Sequence, residues 1–265
     1  MSTTAPSPPA EPPPDAPPAR RPRRRAVRAL SSVLIVAGLL LVADAIATVT
    51  WQEPLTAWLS SRTQHRLAGD LKRLETQDAP SPQEDRALAR LADQQRRIAF
   101  LARRLARRTK PGQAVARLRM PRIGKTAVVV KGSAPEDLRK GPGLYDGTTF
   151  PGAPGTTAIA GHRTTYGAPF RHIDGLRPGD RIILELPYAT FTYRVQGTRI
   201  VKPSDVGVIR RVGYDRLVLS ACHPLFSAAK RIVVFARLAR VTPGQTLVRL
   251  GEAAAAGTST AARKG

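Results

Sequence analysis

Apolar residues in this chain follow two periods, and the change between them divides it. Leu67, Leu71 and Leu74 repeat at helical spacing. After a break at Asp78-Ala-Pro-Ser-Pro82, Leu88, Leu91, Ile98, Leu101 and Leu105 repeat the same way. Ser81 and Glu84 have capping-box spacing, with Pro82 at the first helical position. The spacing predicts helix over 60–110, with Arg96, Arg97, Arg103, Arg104, Arg107 and Arg108 on the opposite face, ended by Lys110-Pro-Gly-Gln113. From 114 to about 243 the pattern becomes short strands between Gly/Pro turns. These are Ala114–Met120, Thr126–Lys131, Thr156–Ala160, Arg181–Pro187, Phe191–Lys202, Arg216–Cys222 and Ile232–Val241, with short helical pieces near Ala134–Lys140 and Pro169–Ile173. Many short strands at this spacing predict an all-β domain, closed or sandwich-like.

A third pattern precedes these two. Residues 1–19 are rich in Pro, Ala and Ser and cannot bury a core. Arg20, Arg21, Arg23, Arg24, Arg25 and Arg28 then lead into an apolar run from Ala29 to about Thr50, closing on Trp51 and Trp58. About twenty apolar residues cross a bilayer, and this run has that length. Asp44 near its far end is tolerable if the carboxylate snorkels or is protonated. The arginines predict a cytoplasmic amino-terminal side, and the tryptophans suit the outer interface. A cleaved signal peptide is the rival, but the run continues through Ile46 and Val49, so an uncleaved anchor is favoured.

Composition narrows the partners. The 265 residues carry 43 Lys and Arg against 19 Asp and Glu, a formal charge of +24. Much of that excess lies beside the apolar run or on the helical stretch, where it suits anionic lipid or wall polymer as well as a merely solvated face. No run of aromatics interleaves with basic residues, so nucleic-acid binding is not expected. One cysteine excludes an internal disulfide and a cysteine-rich metal site, and no cluster of carboxylates or histidines has ligand spacing. No metal or other cofactor is implied.

That cysteine, Cys222, ends the apolar run Leu217-Val-Leu-Ser-Ala221, and Arg231 opens the next strand. A lone thiol at a strand end is either a packed apolar residue or a nucleophile awaiting a histidine. Of the four histidines, His65 lies on the helical stretch and His172 on a short helical piece. His162 stands at a second strand exit, after Thr156-Thr-Ala-Ile-Ala-Gly161. His223 adjoins Cys222, but neighbours on an extended chain face opposite ways, which makes it the second choice.

Gly161-His-Arg-Thr-Thr-Tyr-Gly-Ala-Pro-Phe170 and Leu219-Ser-Ala-Cys-His-Pro224 with Arg231 resemble the sortases, cysteine transpeptidases of Gram-positive envelopes, most closely class E of actinobacteria. Gly141-Pro-Gly-Leu-Tyr145 and Phe150-Pro-Gly-Ala-Pro-Gly155 resemble that group too. The resemblance covers about 114–243. It implies an eight-stranded β-barrel with short helices and a catalytic set of His162, Cys222 and Arg231. It implies cleavage of a sorting signal of the Leu-Ala-X-Thr-Gly or Leu-Pro-X-Thr-Gly type between Thr and Gly. The partners it implies are secreted proteins bearing a carboxy-terminal signal and an amine of a peptidoglycan precursor. Val218 and Ala221 depart from it, standing where the family has threonines.

The expected layout is a disordered basic tail (1–28), a transmembrane helix (29–51), a helical extracytoplasmic stalk (52–110), a catalytic barrel (111–245) and a disordered end (246–265). The competing expectation is a non-catalytic envelope module that binds lipid or wall polymer through its basic helices.

Overall fold

The structure, a computed structural model, describes residues 22–50, 54–77, 80–91, 93–244 and 247–248. The expected tail up to residue 21, Trp51 and most of the stretch after 246 lie outside the described residues. The chain forms two units, 1–50 and 51–265.

In the first unit, helix α1 spans Pro22–Thr50 and so begins within the arginine block. Its stretch Val27–Asp44 is long and apolar enough to cross a membrane. Its described apolar side chains, among them Leu34, Leu40 and Leu41, are exposed.

The second unit begins with α2 (Pro54–Gln77), α3 (Pro82–Ala89) and α4 (Gln94–Arg108). Ser81 and Glu84 close both halves of the capping box that starts α3. These helices do not stand free as a stalk would. Leu67 and Leu71 of α2 pack with Ala114, Val128 and Val130. Leu88, Ile98, Leu101 and Leu105 join the main core. An apolar helical stripe must be covered, and here the strands cover it. Arg104, expected on the solvent face, is 1% exposed and pairs with Glu84 at 2.9 Å. Lys131 seals the end of α4, its Nζ donating to the carbonyls of Ala106 and Thr109 at 2.6 and 2.7 Å.

The strands are β1 (Ala114–Met120), β2 (Lys125–Lys131), β3 (Gly143–Leu144), β4 (Thr156–Ala160), β5 (Arg181–Leu186), β6 (Ala189–Val201), β7 (Arg216–His223) and β8 (Lys230–Pro243). They close a barrel in the order β1-β2-β3-β4-β7-β8-β6-β5. β2–β3 and β4–β7 pair in parallel. Eight strands leave an interior that side chains just fill. Leu118, Ile159, Leu184, Phe191, Leu217, Leu219 and Val234 fill it.

The two-residue β3 was invisible to period-2 reading, yet it closes the gap between β2 and β4. Helix α5 (Pro135–Leu138) falls within the piece expected near 134–140. The helix expected at 169–173 is absent; turns lead instead to a 3₁₀ segment at Ile173–Gly175. Inside the stretch 246–265 expected to be disordered, Leu247 is 5% exposed and belongs to the core.

Outside the barrel wall a second apolar cluster joins Ala158, Val218, Val233 and Phe235 under Val208 of the 3₁₀ segment Val206–Ile209. β7 is therefore buried on both faces, the reason its sequence reads as a continuous apolar run rather than an alternation.

Candidate active site

The register of β7 decides where Cys222 points. Leu217, Leu219 and Ala221 belong to the interior core, while Val218 belongs to the outer cluster. Alternation places Cys222 on the outer face, at the end where the strand leaves the sheet. Cys222 is half-buried and not in a disulfide. On one side it pairs with Arg231 of β8. Arg231 shares the outer face of Val233 and Phe235.

On the other side runs β4, parallel to β7, with Ala160 opposite Ser220. The Gly161 N–H still donates to the Ser220 carbonyl at 3.0 Å, so the pairing persists one residue past β4. Ala158 faces out and Ile159 in. The same alternation carried to His162 puts it on the outer face, level with Cys222. Three residues from separate strand ends thus share one rim, with Cys222 in the middle.

The loop after β4 is tightly held. The Phe170 N–H donates to the His162 carbonyl at 3.0 Å. Tyr166 lies over the His162 ring, centroids 4.9 Å apart and planes tilted by 49°. Gly161 is required by close approach: a Cβ there would lie 2.5 Å from Cδ2 of the buried Phe170 ring. His162 is half-buried; its Nε2 is itself buried and has no hydrogen-bond partner among the described residues, the Cys222 sulfur included. Burial, and secondarily the positive charge of Arg139, hold the imidazole pKa below its ordinary 6.5. Both disfavour the imidazolium. The ring is therefore held as a base.

Arg231 turns one guanidinium nitrogen to the loop between β7 and β8, donating to the carbonyls of Ala228 and Lys230 at 2.8 and 3.0 Å. The other two nitrogens have no partner among the described residues, leaving donors for a developing negative charge.

The alternative histidine is engaged elsewhere. His223 Nδ1 lies 3.0 Å from Nη1 of Arg163. A guanidinium only donates, so this nitrogen accepts. Arg163 is 3% exposed, pairs with Asp174 at 2.5 Å and donates to the Arg171 carbonyl. It ties the segment after His162 to the segment after Cys222. Sequence pattern pointed to neither Arg163 nor Arg139, since both act across long separations. His172 and His65 are exposed and take no part; His172 does not cap the 3₁₀ segment it precedes.

Ala221 is 2% exposed and inward-facing, so the lost threonine hydroxyl there would have pointed into the barrel core, away from the thiol. Val218 packs in the outer cluster. Both departures put apolar groups where the protein is dry.

Residues 118–239 match the sortase domain family. The chain is 34% identical over 135 residues to Sortase D of Bacillus subtilis, covering 49% of this chain and 66% of that protein. It is 33% identical over 150 residues to Sortase SrtE1 of Streptomyces coelicolor, covering 51% and 43% respectively. The matched stretch thus spans less than two thirds of either relative. A Clostridium perfringens Sortase D5 transpeptidase shares the fold, with a TM-score of 0.55 over 68% of this chain and 99% of that one, at 23% identity.

Proposed function

The chain belongs to the sortase family, and from that premise we propose that it is a membrane-anchored cysteine transpeptidase of the class E type. Its domains follow the expected layout with three changes: the anchor helix begins at Pro22, inside the expected tail, the helices of 52–110 are part of the folded unit, and Leu247 of the expected disordered end packs in the core. α1 is the anchor, with its amino-terminal side cytoplasmic and the barrel extracytoplasmic. The substrates are secreted proteins with a carboxy-terminal Leu-Ala-X-Thr-Gly or Leu-Pro-X-Thr-Gly signal. The acceptor is an amine of a peptidoglycan precursor.

The observation that carries this reading is the register: Cys222 is paired with Arg231 on one side and flanked by the His162 strand end on the other. The sulfur of Cys222 attacks the Thr carbonyl carbon while the free Nε2 of His162 takes the thiol proton. Arg231 donates to the oxyanion; losing one such donor typically costs about 10²–10³ in rate. As the intermediate collapses, the C–N bond breaks and His162 returns the proton to the leaving glycine amine. A thioester between Cys222 and Thr remains. The incoming amine attacks it, a new amide forms and the thiol is released.

The test uses the full chain in neutral detergent with a peptide carrying the sorting signal and an amine. The expected result is cleavage between Thr and Gly, amide formation with the amine and a thioester at Cys222 detectable by mass spectrometry. Cleavage that survives Cys222→Ala would sink the assignment of the nucleophile. Absence of any thioester with either signal type would sink the reaction class.

A further inference from the structure

A row of arginines crosses the outer barrel wall. Arg181 of β5 is registered opposite Arg194 of β6. Arg194 is opposite Arg237 of β8, and Arg237 opposite Arg216 of β7. Like charges directly opposite one another in a sheet are destabilising, so the fold carries this row at a cost. Arg216 has a structural explanation: it is 9% exposed and donates to the carbonyls of Val208 and Arg210. The other three are exposed.

Among the described residues, no carboxylate pairs with those three. Arg194 donates only to the Gly179 carbonyl, and Arg237 lies over the Tyr214 ring at 4.8 Å. The nearby carboxylates are committed elsewhere. Glu185 takes Arg117 and Arg119 at 3.6 and 3.0 Å. Asp180 accepts from the Arg177 N–H, and Asp215 from the Gly155 N–H. Arg240, opposite Thr192, and Arg199 extend the exposed positive face along the strands. Over residues 109–244 the chain has 22 Lys and Arg against 8 Asp and Glu.

We propose that Arg181, Arg194 and Arg237 form a docking row for a linear, base-free polymer of phosphate groups. Guanidinium forks match phosphate oxygens in pairs. The row is one-dimensional, with steps of about 4.8 Å set by strand spacing, so three arginines span about 10 Å. A barrel wall is convex, and a flexible chain can follow it where a planar bilayer meets only its crest. The row holds the barrel against an anionic polymer without touching Cys222, His162 or Arg231, and it does not depend on the proposed transpeptidation.

The test measures binding of labelled long-chain inorganic polyphosphate to the full chain in neutral detergent by anisotropy, as a function of salt. The triple variant R181Q/R194Q/R237Q is compared with a charge-matched triple, R96Q/R103Q/R107Q, on the exposed face of α4. The row variant should lose at least tenfold in affinity at low salt, and its log–log salt slope should fall by about two to three. The α4 triple should lose less than threefold, and peptide cleavage should be unchanged in both. Equal losses in the two triples would overturn the proposal by showing generic charge attraction. Equal affinity for poly-glutamate, or displacement by phosphatidylglycerol mixed into the micelles, would overturn the choice of polymer. Relief of like charge predicts a thermal midpoint no lower than that of the parent. If the triple does not fold, R194Q alone should lose about twofold, and no loss there overturns the row.

Discussion

Gly161→Ala tests the link between core packing and the rim. The new Cβ would lie 2.5, 2.7 and 2.9 Å from three carbons of the Phe170 ring. Phe170 is fully buried and packed in the main core, so the ring cannot swing into solvent. Relief requires roughly 1 Å of movement to reach ordinary van der Waals contact at about 3.5 Å. Overpacking of this kind costs about 1–3 kcal/mol. For a unit of this size each kcal/mol lowers Tm by about 2–4 °C. Gly161 is bonded to His162 and pairs through its N–H with Ser220, two residues before Cys222. The displacement therefore falls on the spacing between imidazole and thiol. A misplacement of about 1 Å can cost about 10²-fold in rate. The assay is kcat for cleavage of the sorting-signal peptide alongside a thermal melt, repeated in Gly161→Ala/Phe170→Leu. Removing ring atoms should restore a large part of both losses, giving a double-mutant coupling of opposite sign to the single effects. Full activity in the single variant, or no recovery in the double, would refute the reasoning.

Three further outcomes follow from the geometry. Because burial and Arg139 hold His162 below its ordinary 6.5, kcat/KM should fall only as pH drops below 6.5; Arg139→Gln should move that acidic limb upward, and an unmoved limb would remove Arg139 from the account. Gln64 pairs with both the N–H and the carbonyl of Val128, at 2.7 and 3.3 Å, and also donates to the Lys140 carbonyl, so Gln64→Leu should cost about 1–3 kcal/mol in chemical denaturation and speed hydrogen exchange at the Val128 amide. Glu84 is held below 4.5, first by the Ser81 N–H and then, against burial, by Arg104. Its stability is thus present above pH 4.5 and lost as pH falls through the lowered value; Glu84→Gln should be less stable at neutral pH and show a flatter acid limb on titrating Tm.

Several features were legible in the chain because they are local. The capping box needs only Ser81, Pro82 and Glu84 in sequence. Seven of the eight strands announced themselves by apolar runs between turns, and Cys222 and His162 by their places at strand exits. β3 did not, since two residues hold no period and its pairing comes from strands on either side. Arg104 has the spacing of a solvent-facing charge, and its burial depends on Glu84 arriving from a different helix.

Residue order alone determined the helical and strand segments, the apolar span of α1 and the two strand exits, because period and turn chemistry act over a few positions. Only the closed barrel decided that Cys222, His162 and Arg231 lie on one outer rim. It also decided that His223 is tied to Arg163, that α2 to α4 are packed rather than free, and that three arginines meet in a row. Those outcomes depend on register between strands distant in the chain, and a shift of one residue would have sent each side chain to the opposite face.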